Sequence, residues 1–345
     1  MTANVVQNHP LVWILDDEFG NHDLENKLLR DAGMKPVYST TKTFVTDYPV
    51  YAQLADAVIL QVSFRISDDH VMGLARCRVI SVLGAGYDNV PLEAASMRRI
   101  PVCTIPDYCA GEVSDHTLAL LLALSRRITA FDTEVRQGYW QPLHSGVQCL
   151  AGQALGLVGF GRIAQVVARK ASVFDLRVLS YDPFVESSEM ALHGVRKADL
   201  DTLLSSSDYV SIHIPLSSST EHLIGARELA CMKRTAFLIN TSRGSVIDEN
   251  ALSEALRSGV IAGAALDVMK HEPPAPDNYL VKSGKTIITP HAAYYSEQSL
   301  KRLRTTAVAN VLQVLEGRPP LNTVNFPAIT FTEKANEPAT SIAHR

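Results

Sequence analysis

Long apolar runs are missing from this 345-residue chain. The most hydrophobic stretch, residues 118–124, is far short of the ~20 residues that span a bilayer, and mean hydropathy is only +0.05. No membrane partner is expected. An excess of either charge is also lacking: 32 Lys and Arg stand against 36 Asp and Glu, a formal −4. That balance gives no electrostatic reason to expect nucleic acid. Cysteine is scarce and unpatterned. Cys77, Cys103, Cys109, Cys149 and Cys231 are odd in number and none are spaced Cys-x-x-Cys. Neither a disulfide framework nor a structural zinc site is expected, and the thiols read as reduced, in a cytoplasmic protein. The first ten residues show no basic region followed by an apolar one, so no secretory leader is expected.

What the chain does have is a globular balance, 46% hydrophobic and 20% charged, and length for about two domains. Short apolar runs at 12–15, 36–38, 57–60, 79–83 and 102–105 read as buried strands. Helical patterns lie between them at 24–32 and 71–75. Such alternation predicts a parallel sheet covered on both faces. A long helix is predicted over 112–137, then a loop rich in Gly, Pro and His over 138–152. A second series of strands follows at 154–158, 177–181, 209–214, 236–240, 262–266 and 286–288. A final helix places Leu300, Leu303, Ala307, Val308, Val311, Leu312 and Leu315 on one face and stops at Gly317 and Pro319. The polar tail from about residue 331 reads as disordered.

After the strand at 154–158 comes Gly159-Phe160-Gly161-Arg162-Ile163-Ala164, opening a helix. This is the G-x-G-x-x-A form of a dinucleotide fingerprint. Gly159 allows the tight turn, Gly161 lets a pyrophosphate approach the backbone, and Ala164 lets helix and strand pack closely. The helix N-terminus offers its dipole and N–H groups to phosphate. Asp182 ends the next strand, where a carboxylate binds ribose hydroxyls and repels a 2′-phosphate, favouring NAD over NADP. A P-loop is excluded, because Arg162-Ile163 stands where Lys-Ser/Thr is required.

Three further segments carry polar residues at strand ends: Asn240-Thr241-Ser242-Arg243-Gly244, Leu266-Asp267 with His271-Glu272-Pro273, and Thr289-Pro290-His291. Reducing a keto acid needs a cation to hold the carboxylate and polarise the carbonyl, and an acid to protonate the forming alkoxide. Arg243 suits the first role through its planar fork. His291 suits the second, and Glu272 paired with it favours the imidazolium. Read singly, each has an ordinary alternative: a surface ion pair, a solvated loop acid, a polar residue at a helix start. His271-Glu272 is not a metalloprotease helix, because prolines follow where a helix and a second His are needed. No metal is expected.

Together with Gly84-Ala85-Gly86-Tyr87-Asp88-Asn89-Val90 and Tyr181-Asp182-Pro183, these segments resemble the D-isomer-specific 2-hydroxyacid dehydrogenases over residues 10–326. The resemblance implies catalysis by Arg243, Glu272 and His291. It implies substrate-carboxylate binding by the backbone of Leu83, Gly84, Ala85 and Gly86. Cofactor contacts are implied at Phe160, Gly161, Arg162 and Ile163, at Asp182, at His213, Ile214 and Pro215, and at Thr241, Ser242 and Asp267. The implied fold is α/β with two Rossmann-like doubly wound domains. A discontinuous substrate domain spans 1–107 and 293–330, completed by the C-terminal helix, and an NAD-binding domain spans 108–292. A homodimer packed through 112–150 is implied. Residues 290–298 are similar to the C-terminal-binding protein branch, which carries an aromatic pair before Ser-Glu-Gln, and Tyr294 is expected to wall the substrate pocket. The chain departs from that branch at Tyr294, where eukaryotic members have Trp, and at Val82, where they have Arg. The expected activity is NAD-dependent interconversion of a small 2-keto acid and its D-2-hydroxy acid. The alternative is an NAD(H)-sensing, corepressor-like scaffold with weak residual activity.

Overall fold

The computed structural model describes residues 9–141 and 147–325. The predicted polar tail lies outside them. By internal contacts the chain divides into two units, one of residues 1–108 with 297–345 and one of residues 109–296.

The first unit begins with β1 (Leu11–Leu15), α1 (Asp23–Asp31), β2 (Lys35–Ser39), α2 (Thr41–Leu54) and β3 (Ala57–Gln61). It continues with α3 (Asp68–Met72), β4 (Ile80–Leu83), α4 (Leu92–Met97) and β5 (Val102–Cys103). The strands form one parallel sheet in the order β2-β1-β3-β4-β5, the flavodoxin-like winding. β1, β3 and β4 are almost wholly buried, as strands covered by helices on both faces must be. Trp13, Leu60, Ile80 and Val102 lie in its core.

The second unit opens with α5 (Ala110–Ser125) and α6 (Ile128–Arg136). It continues through β6 (Ala154–Val158), α7 (Arg162–Ala171), β7 (Arg177–Tyr181), α8 (Ser187–Leu192), β8 (Arg196–Lys197), α9 (Leu200–Ser206) and β9 (Tyr209–Ile212). Then come α10 (Ala226–Cys231), β10 (Phe237–Asn240), α11 (Glu249–Ser258), β11 (Gly263–Leu266), α12 (Tyr279–Lys282) and β12 (Thr286–Ile288). Its parallel sheet runs β12-β11-β10-β9-β6-β7-β8, which contains the Rossmann order with its reversal at β6. Cores lie on both faces, one around Leu238, Leu252 and Leu266, the other around Leu121, Phe160 and Val167. The last helix, α13 (Glu297–Leu315), belongs to the first unit, where it packs on α1, β3 and β4.

The predicted helix over 112–137 is two helices. Arg127 has a left-handed backbone, φ 53°, which ends α5 and restarts the chain as α6, a helix that buries none of its residues. The predicted helix at 71–75 begins earlier, at Asp68, because Ser67 and His70 form a reciprocal cap. The strand expected over 102–105 pairs only at Val102–Cys103. Because every strand is parallel to its neighbours, the C-terminal ends of each sheet share one edge. In the first unit that edge carries the loop after Leu83; in the second it carries Gly159, Asp182, His213, Thr241, Asp267 and Thr289.

Candidate active site

The dinucleotide-type loop leaves β6 at Gly159, whose φ of 96° suits glycine. A Cβ there would stand 2.7 Å from the His213 carbonyl oxygen. Phe160 turns the other way: its side chain is fully buried beneath the loop, and its N–H donates to Asp182 Oδ2 at 2.9 Å. Among the residues expected to meet a cofactor, Phe160 therefore serves the core and the turn. Gly161, by contrast, has open space where a Cβ would project, and as N-cap of α7 it brings no side chain to the first turn. Arg162 is exposed beside it and Ile163 half-buried. Asp182 Oδ1 also accepts from Phe184 N at 2.9 Å, so its carboxylate is held rigidly at the mouth of a cavity of about 500 Å³. Tyr181, Arg196, Lys197 and Thr202 line the same cavity.

His213 follows β9, its Nε2 2.9 Å from Ser211 Oγ. Burial pushes its pKa down to about 4, because the imidazolium is poorly solvated there. Ile214 and Pro215 follow it at the sheet edge. After β10, the fully buried Asn240 folds the next turn. Its Oδ1 accepts from Ser242 N at 3.0 Å and Ser242 Oγ at 2.8 Å, while its Nδ2 donates to the Arg243 carbonyl at 2.9 Å. Thr241 Oγ1 meets Thr117 Oγ1 of α5 at 3.1 Å. Arg243 leaves this turn with Nη1 donating to the Ser242 carbonyl at 2.8 Å. Gly244 lies so close to Met269 that a Cβ would stand 2.0 Å from its carbonyl carbon, which locks the Arg243 turn against the loop after β11.

That loop carries Glu272, whose Oε1 accepts from Met269 N at 2.9 Å and whose Oε2 lies 2.7 Å from His291 Nδ1. Burial acts to raise the Glu272 pKa, but the His291 bond and charge, the Met269 N–H and the Arg243 charge together hold it below its usual value. With Nδ1 engaged by a carboxylate, Nε2 is the nitrogen of His291 left open to exchange a proton. His291 itself sits at φ 51°, its N–H donating to the Asp267 carbonyl at 2.8 Å. Asp267, only 1% exposed, is used up by this loop: its carboxylate accepts from Thr289 Oγ1, from Ala292 N at 2.9 Å and from Ala293 N at 2.9 Å. His116 of α5 closes the arrangement, with Nε2 2.9 Å from Thr289 Oγ1. The Tyr294 ring stands edge-on to His291, with centroids 6.2 Å apart.

In the first unit, Leu83 ends β4 in the core and the loop 84–86 follows. Val62 packs where a Gly84 Cβ would project, 2.2 Å from that position. The buried Asn89 pins the loop's far end, donating to the carbonyls of Gln61 at 3.0 Å and Phe64 at 3.1 Å. Ala85 is exposed and Gly86 half-buried.

Residues 118–293 match the model of the D-isomer specific 2-hydroxyacid dehydrogenase NAD-binding domain. A glyoxylate reductase of Korarchaeum cryptofilum is 38% identical over 274 residues, covering 78% of this chain and 82% of that protein. The chain belongs to the D-isomer-specific 2-hydroxyacid dehydrogenase family. A D-3-phosphoglycerate dehydrogenase of Archaeoglobus fulgidus is 34% identical over 275 residues, 79% of this chain but only 52% of that protein, so the chain spans about half its length. Among solved structures, the D-lactate dehydrogenase of Aquifex aeolicus complexed with NAD and lactic acid superposes with a TM-score of 0.83 at 28% identity, covering 92% and 99% of the two chains.

As a member of this family the protein is an NAD-dependent D-2-hydroxyacid dehydrogenase, and its second unit fits the cofactor. The open backbone at Gly161, the helix end behind it and the fixed Asp182 carboxylate suit a pyrophosphate and a ribose. Asn240 and Thr289 stand in the polar strand-end segments of the sequence without a role of their own, and His116 in none of them, yet in the structure they hold the turns that carry Arg243 and His291. Asn240 left one faint signal, an amide ending the apolar run Phe237-Leu238-Ile239.

Proposed function

We propose that this dehydrogenase reduces a small 2-keto acid to its D-2-hydroxy acid with NADH. The observation that carries the reading is the 2.7 Å pairing of His291 Nδ1 with Glu272, on a loop that Gly244 clamps to the Arg243 turn. When bound, the reduced nicotinamide supplies the hydride. Arg243 binds the substrate carboxylate and polarises the keto oxygen through its fork. His291 gives a proton from Nε2 to the forming alkoxide, and Glu272 keeps the imidazolium oriented and favoured. The backbone at Leu83, Gly84, Ala85 and Gly86 takes the carboxylate's other edge. Thr241, Ser242, His213, Ile214 and Pro215 border the nicotinamide half, and Arg162 and Ile163 the phosphates. Asp267 acts by holding the His291 loop, and Tyr294 by walling the substrate side chain. Asp182 selects NAD over NADP. The units correspond to a substrate domain and an NAD-binding domain.

The similarity of residues 290–298 to the C-terminal-binding protein branch supports placing the chain beside it. The scaffold alternative draws no support from the named relatives, a reductase and dehydrogenases. Homodimerisation through 112–150 is supported by α6, whose Ile128 and Val135 are exposed, and by exposed Tyr139 and Trp140 after it. Residues 142–146 of that region lie outside the described ones. The test is NADH oxidation with glyoxylate, pyruvate, hydroxypyruvate and larger 2-keto acids, with the product's configuration read on a chiral column. Turnover of at least one, to a D product, is expected. Tight NADH binding without turnover of any would overturn the proposal.

A further inference from the structure

In the first sheet, β3 lies between β1 and β4, and Gln61 at its end is in register with Leu83. Gln61 is 4% exposed, and its Oε1 accepts from Ser63 N at 2.7 Å and Ser63 Oγ at 3.0 Å. Those bonds fix which way the amide faces, so its nitrogen donates to Glu18 Oε2. Glu18 lies just past β1, and its own N–H donates to Asp16 Oδ1 at 2.8 Å. A carboxylate is thus held from both ends, backbone and side chain, and bonded to the strand β3 that neighbours the one leading into the loop 84–86. The surrounding charge does not neutralise it. Asp16 and Asp17 precede it, and Arg65 beyond β3 is paired with Asp88 at 3.2 Å. Two cation-forming groups lie on the same side: His22, 3.6 Å from Asp16, and Arg304, 5.3 Å over the Phe19 ring but forked onto Glu25.

We propose that Glu18, positioned by Gln61, selects the substrate's tail: it takes 2-keto acids whose group beyond the keto carbon is neutral and donates a hydrogen bond, and rejects those carrying a second anion. This rests on the reading of 83–86 as the substrate-carboxylate loop. A substituent extending from a substrate seated there comes within reach of the neighbouring strand ends. A hydroxymethyl group can donate its O–H to the fixed carboxylate, a charge-assisted bond. A phosphate or second carboxylate meets like charge, while the nearby Arg65 and Arg304 are engaged with Asp88 and Glu25, and discrimination of this kind works chiefly by repulsion.

The experiment compares kcat/KM, with NADH, for hydroxypyruvate, 3-phosphohydroxypyruvate, oxaloacetate and glyoxylate, in wild type, Glu18→Gln, Glu18→Lys and Gln61→Met. Melting curves accompany each variant. Wild type is expected to favour hydroxypyruvate over its phosphorylated counterpart by ~100-fold or more. Glu18→Gln should narrow that ratio about tenfold and Glu18→Lys further, mostly through KM. Gln61→Met, which frees the Glu18 carboxylate, should narrow it less. A ratio unmoved in both Glu18 variants while glyoxylate is still reduced overturns this inference alone, as does a wild type that accepts the phosphorylated acid as readily as the neutral one. Absence of turnover with every keto acid, while NADH binds, overturns the reductase proposal and this inference together.

Discussion

His291 combines a left-handed backbone with an Nδ1 committed to Glu272, which leaves Nε2 as the exchanging atom. His291→Ala should lower kcat for keto-acid reduction by about 10²–10⁴-fold, the usual worth of a positioned general acid. NADH affinity, followed by fluorescence titration, should stay within a few fold. Equal loss of both would mark His291 as structural. At Asp182 the carboxylate is oriented by two backbone N–H groups. Asp182→Ser should weaken NADH and bring the NADH and NADPH kcat/KM values closer, whereas a wild type using both equally would contradict its role. His213 allows a signed pH test. Its folded pKa is pushed down to about 4, below the usual ~6.5 of an unfolded imidazole. Between those values the unfolded chain binds the extra proton, so stability is intact above pH ~6.5 and falls as pH drops toward 4. Melting temperatures of the cofactor-free protein should decline less across that window in His213→Gln. Asp182 and His291 stood out in the sequence through their chemistry and spacing, whereas His213 was named only through the family resemblance. The role of Asn240 and the place of His116 were not legible, since one folds the Arg243 turn and the other meets the Thr289 hydroxyl only in the folded chain.

The strands were legible as apolar runs because burial on both faces demands that pattern. Helix α2 was not, since its exposed Val45 and Val50 and its internal Pro49 blur the helical period, and Thr43 rather than Glu or Gln completes its cap. The break at Arg127 was equally hidden, because arginine gives no turn signal. Within the β6–α7 turn, the two glycines of the motif have different physical reasons. Gly159 has φ 96° and no room, while Gly161 has an ordinary φ and open space. Gly159→Ala should cost about 1–2 kcal/mol or more in the cofactor-free protein, from left-handed strain and the clash with His213. Gly161→Ala should melt like wild type but bind NADH more weakly, because its Cβ enters the pyrophosphate's approach. Thermal melts and NADH titrations separate the two; a destabilised Gly161→Ala would refute the distinction.

The first unit is sewn together by residues far apart in the chain. Arg304 of α13 forks onto Glu25 of α1, which is 1% exposed, and Arg302 donates to the Tyr108 carbonyl at 2.7 Å. Removing one partner of a buried pair leaves the other charge uncompensated, at ~3–5 kcal/mol. Arg304→Met should lower denaturant stability by about that amount, and Arg304→Met with Glu25→Leu should recover much of it. A double variant no more stable than the single one would show that the pair contributes little. The return of the last helix came from the family resemblance, because no local pattern says which sheet an amphipathic helix will cover. Its consequence lies in the order of synthesis. A ribosome delivers β1 to β5 first, yet the face that α13 covers on β3 and β4 stays bare until the intervening 109–296 has been made. The continuous unit can finish folding during elongation, while the earlier one waits with apolar surface uncovered. Nascent chains halted after residue 296 should therefore need chaperone protection at their beginning, not at their newest end.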